Sequence, residues 1–256
     1  MAQSITTLLA ILATFVVNSL SNLFPPKGLN VGEIANTILS GVLITPANYA
    51  FAIWGVIYVG LIAYGVYQLR PQQRQDIHIR RVNLLLIAAC CAQVIWIYLF
   101  TLRLFGISIL AMLGILAPLV LAYRILYADQ RVSRDRQWMA RIPFSIYLAW
   151  IAVATVVNVA SALYAGNWSG WGISPVVWTA VMIGVTGAIA AYVVWVQRDL
   201  AFLCVFLWAY GAIAQRQLSV PIIRGTAVGI ILILILWFLW VTWFFAQRSK
   251  SVDSLP

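Results

Sequence analysis

The sequence predicts an all-α fold, a polytopic membrane bundle of about eight transmembrane helices. Three observations predict it. Hydrophobic residues make up 64% of the 256-residue chain and charged residues 9%, where a soluble domain carries about 25% charge. The apolar runs are continuous and roughly 20 residues long, the length that crosses the hydrocarbon core; barrel strands would be about 10 residues long and alternating. The 16 Lys and Arg gather between the runs. Together these exclude a water-soluble enzyme, a nucleic-acid-binding module and a disordered chain. The lipid bilayer is the partner that composition demands.

The spans follow in order. The first, 5–23, has no basic residue before it and no small-x-small cleavage site after it, so it reads as an uncleaved helix rather than a signal peptide. A polar segment carrying Pro25, Pro26, Lys27, Glu33 and Pro46 leads to the second span, 49–69. The third and fourth are 82–101 and 107–127. The fifth, 143–163, starts at Pro143, which suits a first helical turn. The sixth is 176–196, just after Pro175. A short seventh, 200–214, has about 15 apolar residues, which leaves a re-entrant segment open there. The eighth is 222–245.

The net charge of +10 marks cytoplasmic loops rather than a nucleic-acid partner. With a cytoplasmic N-terminus, Arg70, Arg74, Arg80, Arg81, Arg124, Arg131, Arg134, Arg136, Arg141, Arg198, Arg248 and Lys250 fall inside. Lys27, Arg103, Arg216 and Arg224 fall outside. That asymmetry predicts both termini in the cytoplasm.

The spans are poor in ionisable groups. Glu33, Asp76, Asp129, Asp135, Asp199 and Asp253 lie in loops, at span ends or in the tail, and His78 lies in a basic loop. An ion-coupled transporter usually keeps such a group at mid-membrane. No spacing of His, Cys and carboxylates suits a metal, and no nucleophile–base pair points to an enzyme. Cys90, Cys91 and Cys204 sit in apolar runs, where free cysteine behaves as a small hydrophobe. Aromatic surface is abundant instead: 12 Trp, 11 Tyr and 11 Phe. Trp138, Trp168, Trp171, Trp237, Trp240 and Trp243 suit an interfacial belt. Trp54, Trp96 and Trp150 fall within spans beside Tyr58, Gln93, Thr155 and Asn158, where helix packing and an aromatic ligand cavity both account for them.

Two of these stretches resemble signatures of the TspO/translocator protein family, the tryptophan-rich sensory proteins. Trp54-Gly55-Val56-Ile57-Tyr58 is similar to the family's W-x-x-x-Y. Before it, Thr45-Pro46-Ala47-Asn48-Tyr49-Ala50-Phe51 resembles a reduced form of the family's Pro- and Trp-rich entry. Tyr147-Leu148-Ala149-Trp150, continuing to Thr155 and Asn158, is similar to Y-L-x-W followed by T-x-x-N. Two spans separate the motifs, as in the family. The chain departs from the pattern before Trp54, where the family's proline is absent, and at Gln93, where an Asn is expected. The sterol-recognition end of the fifth helix is not reproduced.

The resemblance covers residues 1–165 and implies a five-helix membrane core whose cavity is closed by the loop 24–48. Residues 166–246 add about three helices, an extended subgroup, and 247–256 form a cytoplasmic tail. The residues themselves name no cofactor; the resemblance implies a bound porphyrin- or haem-type tetrapyrrole. The expected function is therefore a receptor or sensor for a tetrapyrrole or another planar hydrophobic small molecule. Its site would comprise Tyr49, Phe51, Trp54, Tyr58, Trp96, Tyr147 and Trp150, with Gln93 and Asn158 supplying hydrogen bonds. A structural or assembly subunit of a membrane complex and a non-ion-coupled transporter of a hydrophobic metabolite stand as alternatives. Light-dependent porphyrin breakdown is the one enzymatic activity the resemblance implies. A homodimer or larger complex is the expected assembly, in a bacterial inner or thylakoid-type membrane.

Overall fold

The computed structural model describes residues 1–129 and 132–253, with side chains as far as Arg248. Arg131, the side chains of Lys250 and Asp253, and the tail end 254–256 lie outside the described residues. Eight principal helices run through the chain: α1 (Ala2–Leu23), α2 (Ile53–Tyr67, entered through a 3₁₀ turn Asn48–Ala52), α3 (Ile77–Thr101), α4 (Phe105–Tyr127), α5 (Ile142–Ala165), α6 (Pro175–Gln197), α7 (Leu200–Arg216) and α8 (Pro221–Asp253). No strand occurs among the described residues. Seven of the eight are long and apolar enough to cross a membrane, and α7 is the shorter exception.

Polar side chains set the helix starts. Asp76 accepts from the backbone N–H groups of His78 (2.7 Å) and Ile79 (3.3 Å) at the head of α3. Ser174 caps α6, with Pro175 in its first turn, and Asp199 caps α7 through Phe202 N–H. Such caps satisfy N–H groups that have no partner inside the helix. The tight turn from α3 to α4 places Arg103 in the left-handed region (φ 65°), and Arg198 ends α6 the same way (φ 52°).

The first five helices close a ring in the order α1–α2–α5–α4–α3, each packed on the next. Small residues let them approach. A methyl group on Gly65 of α2 would lie 2.8 Å from Leu8 of α1. One end of the ring is tied by a buried polar chain. Tyr64 donates to Asn83 (2.6 Å), Asn83 to Gln68 (3.0 Å), and Gln68 to the Ser4 carbonyl (2.8 Å), joining α1, α2 and α3. At the same end Arg136 pairs with Asp76 (2.9 Å) and Arg70 with Asp135 (2.5 Å).

The last three helices lie outside the ring. Helix α7 packs on α5, and α6 and α8 pack on α7 and on each other. Only 11% of the most apolar stretch of α8 is buried, so most of that helix is left uncovered by the rest of the chain. Helix α7 is nevertheless continuous for about 25 Å at 1.5 Å per residue, and it is attached at both ends. Asp199, at its start, is buried between Tyr123 of α4 (2.8 Å) and Ser145 of α5 (2.6 Å). Arg216, at its end, reaches the α1–α2 connection on the opposite side. Two attachments at opposite ends resolve the open question over 200–214: the segment does not turn back.

Two boundaries differ from the sequence reading. The fifth helix begins before Pro143, because Arg134–Arg136 and a π-helical turn, Gln137–Arg141, run into it without a break. Proline lacks the N–H that an α-helical turn would need, and the wider i→i+5 turn takes up the mismatch. Helix α8 continues to Asp253, so residues 247–253 of the expected tail are helical and continuous with the last span.

Candidate ligand cavity

The aromatic residues of the two motifs meet inside the five-helix ring. Phe51, Trp54, Trp96, Trp150 and Asn158 surround a cavity of about 50 Å³. Phe51 meets Trp150 edge-on (6.1 Å between ring centres), and Trp96 packs on Phe100 (5.2 Å). Trp54 stacks on Tyr58 (5.7 Å) and meets Tyr147 edge-on (6.1 Å). Helical spacing produces this convergence, because Trp54 and Tyr58 lie four residues apart on one face of α2.

Tyr58, Gln93, Trp96, Tyr147 and Asn158, five of the residues predicted for the site, have protein hydrogen-bond partners. Trp96 donates its indole N–H to Asn158 Oδ1 (2.8 Å), and Asn158 donates to Ser108 Oγ (3.1 Å), which in turn donates to the Phe105 carbonyl (2.7 Å). Gln93 donates to Tyr58 (3.1 Å) and accepts from Tyr147. Asn18 of α1 also donates to the Tyr58 oxygen (3.0 Å). In an apolar interior unpaired polar groups are costly, so these bonds hold the ring walls in register. Thr45, outside the predicted set, differs: it lines the cavity, is buried, and its hydroxyl has no hydrogen-bond partner.

The mouth of the cavity is closed by the α1–α2 connection. This segment folds around a short helix, Val31–Asn36, entered through a capping box in which Asn30 accepts from Glu33 N–H (3.0 Å) and Glu33 accepts from Asn30 N–H (2.8 Å). Val31, Ala35, Thr45 and Pro46 form the inner surface of this lid. Helix α7 holds it shut from outside the ring. Arg216 donates to Asn36 Oδ1 (2.6 Å) and to the carbonyls of Ala35 (3.1 Å) and Pro46 (3.4 Å). Gln217 donates to the Leu43 carbonyl (2.7 Å), Ala47 N–H to the Ala212 carbonyl (3.1 Å), and Trp208 to the Ala50 carbonyl (3.1 Å).

Of the residues predicted from sequence, Phe51, Trp54, Trp96, Trp150 and Asn158 share the cavity wall. Tyr58, Gln93 and Tyr147 form the hydrogen-bonded layer beside it. Tyr49 stands apart, half-exposed and edge-on to Trp208 of α7 (4.9 Å). One residue of register separates Ala50, buried toward the bundle, from Tyr49. Sequence reasoning missed Asn18 and Ser108, which carry no motif, Thr45, which lies in the entry stretch before Trp54 but was not assigned to the site, and the lid clamp of Arg216 and Gln217. The lid helix did leave a signal in Asn30-x-x-Glu33, the spacing of a capping box.

Fold and site together define a helical membrane protein with a lidded aromatic cavity in a five-helix ring. The chain belongs to the family described as TSPO-like protein, whose model matches residues 4–240. The match runs past the fifth helix and takes in α6, α7 and most of α8. No curated protein and no solved structure matches the chain. Family membership makes this a multi-pass membrane protein of the sensor or binding type.

Proposed function

We propose that the protein binds a planar hydrophobic molecule of the tetrapyrrole class in the cavity between Trp54, Trp96 and Trp150, and acts as its membrane receptor or sensor. The observation that supports this most is the Thr45 hydroxyl, buried on the cavity wall without a partner. A native interior seldom leaves such a group unpaired, and a ligand acceptor or donor would pair it. The flat indole walls supply stacking area, and the polar network around Asn158 and Gln93 keeps them in place.

At about 50 Å³ the cavity is smaller than the roughly 300 Å³ of ordinary ligand sites. The described conformation is therefore the closed one, and binding requires the lid to move outward from Pro46. The bond set made by α7 then sets how readily the site opens, and ligand occupancy is reported through the same contacts. The basic end of the bundle, carrying Arg70, Arg80 and Arg136, faces the cytoplasm in this reading.

Titration of the purified protein with protoporphyrin IX tests the proposal. Tryptophan fluorescence should be quenched saturably, and Trp54→Phe or Trp150→Phe should weaken the binding. Quenching that rises linearly and is the same in both variants refutes it.

A further inference from the structure

A second cavity, larger than that in the ring, lies outside it. It occupies about 330 Å³ between α5 and α6, within the size range of ordinary small-molecule sites. It exists because α5 and α6, although joined by the short connection 166–174, do not pack along their lengths among the described residues; α6 packs on α7 and α8 instead. Leu163 and Ile173, both exposed, stand at its edge, so the groove is open to the surface of the bundle.

Its chemistry is uniform. No Asp, Glu, Lys, Arg or His lines it. The Thr155 and Thr179 hydroxyls are committed to the carbonyls of Ile151 (2.7 Å) and Pro175 (2.8 Å), and the Trp178 N–H to that of Gly170 (2.9 Å). The body of the groove therefore presents carbon. Tyr164 and Trp168 sit at one end, at the helix termini, while Thr155 lies about 14 Å deeper along α5. Such a shape suits a molecule with an apolar body and a polar end held among interfacial aromatics.

The groove and the ring cavity share their dividing walls. On α5, Thr155, Val159 and Leu163 face the groove, while Ala154, Asn158 and Ser161 face the ring cavity. Gly41 to Ile44 of the lid border the groove, and Thr45 and Pro46 border the ring cavity. The lid lies close against α5 here: a methyl group on Gly41 would come within 2.5 Å of the Tyr164 ring. This single strip of lid therefore borders both spaces.

We propose that the α5–α6 groove is an entry site, which takes an apolar molecule from the bilayer and passes it beneath residues 41–46 into the ring cavity. The passage rests on the ring cavity being a ligand site, as proposed above; the groove as a site for a bilayer-dissolved molecule does not. The ligand thus never crosses water, which is consistent with a lid tied down on its aqueous side by Arg216.

The test uses the protein in proteoliposomes with 3-trifluoromethyl-3-phenyldiazirine, a small apolar carbene precursor that dissolves in the bilayer. Flash photolysis at increasing times after mixing, followed by peptide mass spectrometry, maps where the probe sits. Label should appear first and saturably on Val159, Leu163 and Met182, and later on Trp54 and Trp150. Ala160→Trp, which fills the groove from α5, should abolish the groove label and slow the cavity label about tenfold, as lid-gated steps allow. Met182→Trp, filling it from α6, should do the same, and two variants on different helices guard against a folding defect in either. Val185→Trp, on the exposed side of α6, should change neither. Absence of saturable groove label overturns the entry site; cavity label that arrives equally fast in both filled variants, or never arrives in the unaltered protein, overturns the passage. Failure of protoporphyrin to quench Trp54 and Trp150 while the groove result stands removes the tetrapyrrole reading alone.

Discussion

Replacing Arg216 by Ala should release the lid without unfolding the ring. The side chain makes two well-formed bonds to the lid, 2.6 Å to Asn36 Oδ1 and 3.1 Å to the Ala35 carbonyl, and a weaker one of 3.4 Å to the Pro46 carbonyl. Hydrogen bonds from a charged donor contribute about 1.5–3 kcal/mol each, and the partial exposure of this site argues for the lower end. Two bonds then come to about 3 kcal/mol, or roughly a hundredfold in the ratio of open to closed lid. Hydrogen–deuterium exchange in nanodiscs reads this directly. Amides of residues 33–47 should exchange roughly a hundredfold faster in the variant, while those in the middle of α3 keep their rate. Arg216→Lys should recover little, since one ammonium cannot reach three acceptors in the fixed fork of a guanidinium. Unchanged exchange across 33–47 would refute the clamp, and equal acceleration in α3 would show that Arg216 supports the whole bundle instead.

Asp199→Ala should destabilise the protein by about 2–4 kcal/mol, because it leaves the Tyr123 hydroxyl buried without its acceptor and removes the α7 cap. Asp199→Asn should cost less, and thermal unfolding in detergent separates the two. Asn158→Leu should cost about 1–3 kcal/mol by stranding the Trp96 N–H, and Trp96→Phe in that background should recover part of the loss, since both ends of the bond are then apolar. Gly41→Leu should lift the lid strip from α5 and raise exchange at 41–46, with Tyr164→Ala relieving it, because the added side chain would strike the Tyr164 ring.

Much of the bundle was legible in the chain because lipid imposes a simple rule. Backbone polar groups must be satisfied within each span, so continuous apolar runs read as helices with few alternatives. The motifs around Trp54 and Trp150 were legible for a similar reason, since helical spacing alone brings Trp54 and Tyr58 to one face. The fifth-helix boundary was not, because a proline that normally opens a helix is here absorbed by the π turn at Gln137–Arg141. Nor was the role of Arg216. From sequence it was one of the four basic residues on the less charged side; its partners Ala35, Asn36 and Pro46 are some 170–181 residues away. Thr45 stood in the entry stretch before Trp54, but its place in the site was not legible, because a threonine becomes informative only when its hydroxyl is found buried without a partner.

The sequence by itself determined a helical membrane protein, its run of spans, and the aromatic character of its interior. These follow from composition and from periods of a few residues, which the chain carries locally. Only the tertiary structure decided that the ring cavity is closed and small, that the seventh helix clamps its lid, and that the roomier space lies between α5 and α6. Those features depend on which helices pack and which stay apart. That choice is made by side chains far apart in sequence, through dispersion contacts and a few buried hydrogen bonds, since lipid favours no one apolar pairing over another.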